Sequence, residues 1–321
     1  MAVNISALTH RSQPGPPRFP VIGSRGRSLS PFSSPPSRLS LIKYCREGVK
    51  AKEIASNALT TRRSVSPIPL KLRIMSAAIR QASSSTPTQT SCFDRTHGRC
   101  HILGVCDGYG PNGFLVSSFL SCKVAAALFR KVASVDIESV KTALKAAYID
   151  CGRMLEEAEI DTSESGSSCL TLLFINSSLV CANLGTSRAV VGRCIHSTWS
   201  VYQLSWDSES SSTATLIRRL KRGKLAMEEG KKAGFGLTKA KSAEPDLETV
   251  EIGSRDRFAL IATQELWKVM TSWEVVQFVA SLLPHKPASL CDSLIAEAQK
   301  RWKALGGSVA EITVIIALFG P

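Results

Sequence analysis

The sequence predicts an α+β domain that follows a basic N-terminal tail. Short apolar runs predict strands at residues 170–175 and 179–183, and the turn residues 176–178 between them are a tight hairpin signal. Two longer segments, residues 115–132 and 137–158, carry apolar residues at helical spacing and predict helices. A chain of 321 residues is long enough for one large domain plus a tail.

The net charge of +14 is concentrated in the tail. Residues 1–91 contain fourteen Lys and Arg against two acids, Glu47 and Glu53, and so carry +12 of that charge. The rest of the chain is nearly neutral, and we do not expect its domain to bind nucleic acid. A nucleic-acid binder driven by the tail alone is a weaker alternative, with an affinity that falls steeply with salt.

The tail itself has the composition of a flexible segment. Residues 1–40 hold nine Ser, seven Pro and five Arg and no acid, which is too little apolar surface to fold alone. We favour a basic tail in the cytoplasm or nucleus, with a plastid transit peptide as the alternative. A Ser/Thr/Pro linker at residues 83–91 places the domain boundary there, giving a tail at 1–91 and a domain at 92–321.

Two further features bear on localisation. The ten Cys are scattered without a C-x-x-C pair, which indicates reduced thiols inside a cell. No window approaches the roughly 18 consecutive apolar residues of a membrane span, so we expect no membrane partner. The basic run at residues 218–224 is either a nuclear import signal or, as we favour, the solvated face of a helix.

The stretch at residues 103–113, LGVCDGYGPNG, organises the rest of the chain. An apolar run that ends in Asp107 and then breaks into Gly and Pro predicts a buried strand followed by an open loop. Glycine at positions such as Gly108 lets the backbone approach a ligand closely. An Asp at such a strand end is suited to hold a metal ion.

This stretch resembles the Gly-Val-Phe-Asp-Gly-His-Gly signature of the type-2C, metal-dependent Ser/Thr protein phosphatases, in their plant-like form. Cys106 replaces the Phe and Tyr109 replaces the His. Residues 165–194 resemble the family's Ala-Asn-x-Gly-Asp-Ser-Arg-Ala-Val block, with Thr186 in place of the Asp. Arg188 is retained there, and we favour a role in stabilising the turn over a contact with phosphate.

Two later blocks continue the resemblance, which covers about residues 93 to 320. Residues 258–270, FALIATQELWKVM, are similar to the family's Leu-Ala-Thr-Asp-Gly-Leu-Trp-Asp-Val signature. Gln264, Glu265 and Lys268 stand there for Asp, Gly and Asp. Residues 308–319 are similar to the closing Asp-Asn-Ile-Thr-Val-Ile strand, with Ala310 at the Asp position and Glu311 at the Asn position.

The resemblance implies both a fold and a chemistry. The fold would be a sandwich of two mainly antiparallel sheets flanked by helices. In the family, two Mg²⁺ or Mn²⁺ ions activate a water that attacks phosphoserine or phosphothreonine. Of the implied metal ligands, only Asp107 and the carbonyl of Gly108 match, while an early acid and a phosphate-binding Arg are not recognisable.

Glu265 and Glu311 could replace the missing ligands only with difficulty. Neighbours in a strand point to opposite faces, so Glu311 should face away from the direction of residue 310. Glu265 occupies a Gly position that needs backbone freedom. We therefore expect no cofactor, with Mg²⁺ or Mn²⁺ required only if the chain is active.

The retained residues pack sheets and helices, and the lost ones bind metal. This contrast favours a pseudophosphatase, a non-catalytic member of the family that binds a phosphoprotein or a protein kinase. An active Ser/Thr phosphatase with an altered metal site is the first alternative. A degraded gene copy with an unstable fold is another.

Overall fold

The computed structural model describes residues 88–206, 234–236, 243–306 and 311–320, together with the backbone of residues 72–79. The strands of this part are Leu72–Ile79 (β1), Thr90–His97 (β2), Cys100–Tyr109 (β3), Gly166–Ile175 (β4), Ser178–Leu184 (β5), Arg188–Ile195 (β6), Thr198–Gln203 (β7), Asp246–Glu251 (β8), Asp256–Ala262 (β9) and Ile312–Phe319 (β10). The helices are Gly113–Lys131 (α1), Ile137–Glu156 (α2), Gln264–Trp267 (α3), Ser272–Leu282 (α4) and Leu290–Ala304 (α5), with a 3₁₀ turn at Pro287–Ser289.

The strands form two five-stranded sheets in which the paired strands are antiparallel. The first sheet has the order β1-β10-β9-β6-β7, and the second has the order β2-β3-β4-β5-β8. The predicted α+β sandwich is therefore confirmed. Asn176, with φ of +54°, begins the tight turn between β4 and β5, as the hairpin signal predicted.

The two sheets pack face to face through apolar side chains. Alternate residues of each strand point into this layer, which includes Leu103, Val105, Leu170, Leu172, Ala189, Val191, Ile261 and Ile315. The other face of the second sheet is covered by α1 and α2, and that of the first sheet by α4 and α5. The result is a four-layered arrangement of helices, sheet, sheet and helices.

The helices α1 and α2 lie where the sequence predicted them. Asp136 caps α2, because its carboxylate accepts a hydrogen bond of 2.9 Å from the backbone N–H of Ser139. By length and composition alone, α1 could cross a membrane, and it is the one such helix among the described residues. It packs on β2, β3 and β4 with Val116, Leu120 and Val124 fully buried, as a core helix does.

The N-terminal boundary differs from the prediction. Residues 72–79 form β1, which pairs with β10 along eight residues, and the boundary drawn between residues 91 and 92 falls inside β2. The folded domain thus takes in segments that were assigned to the tail. The local pattern could not indicate β1, because its partner strand lies more than 200 residues further along the chain. Residues 1–71 and the basic run at 218–224 lie outside the described residues.

Helix α4 begins with a capping box that also ties it to α5. The Glu274 carboxylate accepts a hydrogen bond of 2.8 Å from the backbone N–H of Thr271, whose hydroxyl accepts one of 3.2 Å from the N–H of Glu274. Arg301 of α5 donates to the other carboxylate oxygen at 2.7 Å. These donors, the Thr271 N–H foremost, lower the pKa of Glu274 to about 2.

This depressed pKa predicts a pH-dependent contribution to stability. A carboxyl with a pKa below its ordinary value of 4.5 stabilises the fold above that value and less as the pH falls towards 2. We expect Glu274→Gln to lower the melting temperature by roughly 2 °C at neutral pH, a modest effect because the pair is partly exposed. The difference in melting temperature between Glu274→Gln and the unmodified chain should become smaller at acidic pH. Glu138→Gln, at a largely exposed glutamate, is the matched control, and an equal loss at every pH would contradict the assignment.

Candidate functional site

Asp107 ends the buried part of β3 and lies between two hydroxyl residues. Residues 102–106 are buried, and Asp107 is the first partly exposed position after them. The strand register places Thr90 of β2 opposite it on one side and Ser168 of β4 on the other. The Thr90 hydroxyl donates to Asp107 Oδ1 at 3.2 Å. The strand end predicted from the sequence therefore carries the carboxyl to the rim of the second sheet.

The corresponding rim of the first sheet is formed by the end of β9 and the start of β10. Thr263 and Thr313 join these strands through the Thr263 N–H to the Thr313 carbonyl at 3.1 Å and the Thr313 N–H to the Thr263 hydroxyl at 3.0 Å. The short helix α3 starts here at Gln264. Trp302 of α5 holds it by donating to the Glu265 carbonyl at 3.0 Å. Glu265 follows Thr263 in the chain and Glu311 precedes Thr313, so both glutamates lie at this rim.

Glu311 makes the closest contact between the two rims. Its Oε2 accepts hydrogen bonds from the backbone N–H groups of Gln89 at 2.8 Å and Thr90 at 3.1 Å, and lies 3.3 Å from the Thr90 hydroxyl. The expectation that strand alternation would turn Glu311 away does not apply, because β10 begins only at Ile312. Ala310 lies outside the described residues, so the comparison with its direction stays untested.

Among the described residues, the charges that act on the Asp107 carboxyl include the carboxylates of Glu265 and Glu311 and the ammonium of Lys268. The Lys268 ammonium donates to the Glu265 carboxylate at 2.7 Å. Lys268 is the C-cap of α3 and lies about one helical turn after Glu265. Burial, as the largest cause, and the carboxylates of Glu265 and Glu311 together raise the pKa of Asp107 to about 7. The Thr90 hydrogen bond and Lys268 oppose this shift. Near neutral pH, Asp107 is therefore divided between its protonated and ionised forms.

The glycine-rich loop after Asp107 is tightly packed. The Gly108 N–H donates to the Gln89 carbonyl at 3.2 Å, and a Cβ on Gly108 would lie 2.2 Å from the Gly113 carbonyl oxygen. The Tyr109 hydroxyl lies close to Gly166 and Gly234. A Cβ added to Gly166 would be 2.5 Å from this hydroxyl, and one added to Gly234 would be 3.0 Å from it. Burial raises the pKa of Tyr109 to about 12, so the phenol stays neutral. The close approach at Gly108 is to the protein's own backbone, and the approach to a ligand stays a prediction.

Thr186 lies in the neighbouring turn between β5 and β6, and Arg188 is the first residue of β6. Thr186 is buried, and the hydroxyl of the following residue, Ser187, lies 3.2 Å from that of Ser168. Arg188 donates to the Ser272 hydroxyl at 3.1 Å, and its guanidinium lies 4.9 Å from the centre of the Trp267 ring. These contacts fasten β6 to α3 and α4. The preference for a turn-stabilising role of Arg188 over a contact with phosphate stays a prediction.

Several residues near the site gave no recognisable signal in the sequence. Gln89 and Thr90 stand at the start of β2, where an acid could reach Asp107, and both have neutral side chains. Phe235 is buried against Tyr148, and its N–H and carbonyl pair with the backbone of Ser167 at 2.8 and 2.9 Å. The Phe235-Gly236 dipeptide was the signal in the sequence that could have pointed to this segment.

The donor set of the rim can be compared with what a metal ion requires. In the part of the chain that the structure describes, no three His, Cys, Asp or Glu side chains lie close enough together to hold a metal ion. Glu311 is engaged by N–H donors and Glu265 by Lys268. Asp107 is crowded by like charge, which cations would relieve.

Comparison with known proteins identifies the family. The model of the family described as protein phosphatase 2C matches residues 89–303. The chain belongs to the protein phosphatase 2C family. The match begins at Gln89, which agrees with a domain that starts before residue 92.

Relatives within the protein phosphatase 2C family occur in animals and plants. The mouse integrin-linked kinase-associated serine/threonine phosphatase 2C is 27% identical over 255 residues, which are 69% of this chain and 63% of the mouse protein. The chain thus spans less than two thirds of that relative. A probable protein phosphatase 2C 35 of Arabidopsis thaliana is 24% identical over 263 residues, covering 67% of this chain and 73% of the plant protein.

Solved protein phosphatase 2C structures share the fold. The serine-threonine phosphatase 2C of Toxoplasma gondii has a TM-score of 0.60 at 16% identity, over 78% of this chain and 95% of that one. Stp1 of Staphylococcus aureus has a TM-score of 0.60 at 18% identity, over 82% and 100%. The PstP catalytic domain, solved with two manganese ions, has a TM-score of 0.54 at 18% identity, over 78% and 100%.

The raised pKa of Asp107 predicts that its charge costs stability. The folded pKa lies above the ordinary 3.8, so the folded state binds the proton more tightly and becomes less stable as the pH rises through about 7. We expect Asp107→Asn to raise the melting temperature by several degrees at alkaline pH in EDTA, and by less at acidic pH. Asp292→Asn, at an exposed carboxylate of α5, should give no rise. A lower melting temperature for Asp107→Asn at alkaline pH would contradict the crowding of carboxylates.

Proposed function

We propose that the chain is a pseudophosphatase, a protein phosphatase 2C family member that acts by binding a phosphoprotein or a protein kinase. The observation that carries the proposal is the engagement of the rim carboxylates by the protein's own donors. Glu311 accepts from two backbone N–H groups, and Glu265 pairs with Lys268. A metal ligand must offer oxygen lone pairs to the ion, and these oxygens already have partners.

The charge balance gives independent support. Two divalent ions bring four positive charges, whereas the rim offers three carboxylates that are partly neutralised by Lys268. Gln264 stands in place of a further acid. Mg²⁺ or Mn²⁺, when bound in the family, activates a water for attack on the phosphate ester. We propose that these residues do not fit a two-ion centre, so that the chain works without a cofactor.

An active Ser/Thr phosphatase with an altered metal site is the second candidate. The observation that favours it is that the carboxylates of Glu265 and Glu311 both raise the pKa of Asp107. An ion placed among them would relieve their mutual repulsion. This candidate requires the hydrogen bonds of Glu311 or the ion pair of Glu265 to open when the ion binds.

Catalysis and metal binding can be tested together on the full chain. We expect calorimetric titration with Mg²⁺ or Mn²⁺ to give no saturable heat, and a phosphothreonine peptide to be hydrolysed no faster than by the Asp107→Ala variant. A cooperative melt of the same sample would show that the fold is intact, against the degraded-gene alternative. Metal-dependent turnover that disappears in Asp107→Ala would reject the pseudophosphatase and support the altered site.

Restoring the missing acids provides a gain-of-function control. The double substitution Gln264→Asp and Ala310→Asp returns carboxylates to two family positions, and we expect it to produce measurable heat with Mn²⁺. The matched double variant, Gln264→Asn with Ala310→Asn, introduces side chains of the same size without the charge. It should give no measurable heat with Mn²⁺. Equal responses from both pairs would show that the missing charge is not the limiting factor.

Partner and location are also proposals. The mouse and human relatives are named as integrin-linked kinase-associated, which supports a protein kinase as the kind of partner. We propose an intracellular site of action, in the cytoplasm or nucleus, with the plastid as the alternative suggested by the tail. Fluorescence anisotropy in EDTA should show tighter binding of a phosphothreonine peptide than of its unphosphorylated twin. Equal affinities would leave an unphosphorylated kinase surface as the partner.

A further inference from the structure

Glu311 joins the two sheets of the sandwich. It directly precedes β10 of the first sheet, and its Oε2 accepts the N–H groups of Gln89 and Thr90 at the start of β2, in the second sheet. The bonded residues are 222 and 221 positions apart in the chain. Hydrogen bonds to an ionised acceptor are roughly twice as strong as neutral ones. One carboxylate oxygen therefore fixes the entrance of β2 onto the opposite sheet.

Thr90 extends this contact to Asp107. Its hydroxyl lies 3.3 Å from Glu311 Oε2 and 3.2 Å from Asp107 Oδ1, and a hydroxyl with one proton can donate to only one of them at a time. Both carboxyls are thereby held at the same distance from one donor. The contact of Glu311 with β2 does not depend on the Thr90 hydroxyl, because the carboxylate also accepts from the two backbone N–H groups.

The position of Glu311 is itself fixed from the first sheet. Two residues further on, Thr313 is bonded to Thr263 through both its N–H and its carbonyl. Ile312, between Glu311 and Thr313, is fully buried in the core beneath α4 and α5. The backbone that carries Glu311 is thus anchored on one side, and its carboxylate is anchored on the other.

We infer that Glu311 is a metal-independent clamp, whose carboxylate fastens the two sheets at the rim beside Asp107. The oxygen that receives the two N–H groups is occupied by this task and is not offered to a cation. Glu311 is a positioning residue for β2 and, through Thr90, for the Asp107 carboxyl. The inference concerns stability and stands whether or not the chain hydrolyses phosphate esters, so its test is separate from that of the proposed function.

Thermal unfolding of the full chain tests the clamp. We expect Glu311→Ala to lower the melting temperature by roughly 5 °C, because two charge-assisted bonds are lost and two N–H groups are left without their acceptor. The loss should be the same in EDTA and in millimolar Mn²⁺. Glu311→Gln keeps an oxygen that accepts the N–H groups and should lose about half as much. Glu159→Ala, at an exposed loop glutamate, controls for the removal of one charge.

A double-mutant cycle separates the hydroxyl from the backbone contacts. Thr90→Val keeps the backbone N–H and removes only the hydroxyl, so it should cost less than Glu311→Ala. The two changes together should cost less than their sum, because they remove one shared network. If Glu311→Ala yields no folded protein, Glu311→Gln decides the question by the same comparison.

Two results would overturn the inference. If Glu311→Ala melts at the same temperature as Glu159→Ala, the carboxylate holds nothing together. If Mn²⁺ raises the melting temperature of the unmodified chain and that rise vanishes in Glu311→Ala, then Glu311 is a metal ligand. The second result would also favour the altered-site phosphatase, whereas the first would leave the proposed function untouched.

Discussion

The structure depends on the apolar contact between two five-stranded sheets. Val105 and Leu172 of one sheet meet Ile261 and Ile315 of the other in a layer whose residues are almost wholly buried. Because side chains alternate along a strand, each central strand must also present apolar residues to its helices. β3 satisfies both faces at once, and for this reason its residues 102–106 form a buried run without a polar side chain. Polar side chains resume where this run ends, at Asp107.

At the end of that sandwich, backbone groups and charges must find partners without the help of apolar packing. The start of β2 presents two N–H groups, and Glu311 accepts both. The start of β10 is satisfied by Thr263, and α3 is held by Trp302. Asp107 is the group that is least well compensated, since burial and two neighbouring carboxylates raise its pKa to about 7. The rim is therefore strongly bonded around a carboxyl that is itself poorly stabilised.

Local sequence patterns were sufficient for the central elements and insufficient at the edges. The run before Asp107, the turn at Asn176 and the helices α1 and α2 follow from periodicity and turn chemistry, which act over a few residues. β1 could not be found, because its pairing with β10 is determined by a partner at the far end of the chain. The alternation rule could not orient Glu311 for a related reason, since this residue lies just outside its strand. Thr90 carried no signal, because its importance comes only from the register that places it opposite Asp107.

The same residue cannot serve fully as a clamp and as a metal ligand. A clamp uses the lone pairs of a carboxylate oxygen on N–H donors, and a ligand must direct them at the ion. In Glu311 one oxygen already accepts two N–H groups, so an ion would have to compete with strong bonds that also hold β2 in place. Binding of an ion to this oxygen would then weaken the hydrogen bonds that hold the two sheets together at the rim. In a chain that relies on Glu311 for its rim, this competition is a physical reason for the ions to bind weakly, and it supports the proposed non-catalytic role.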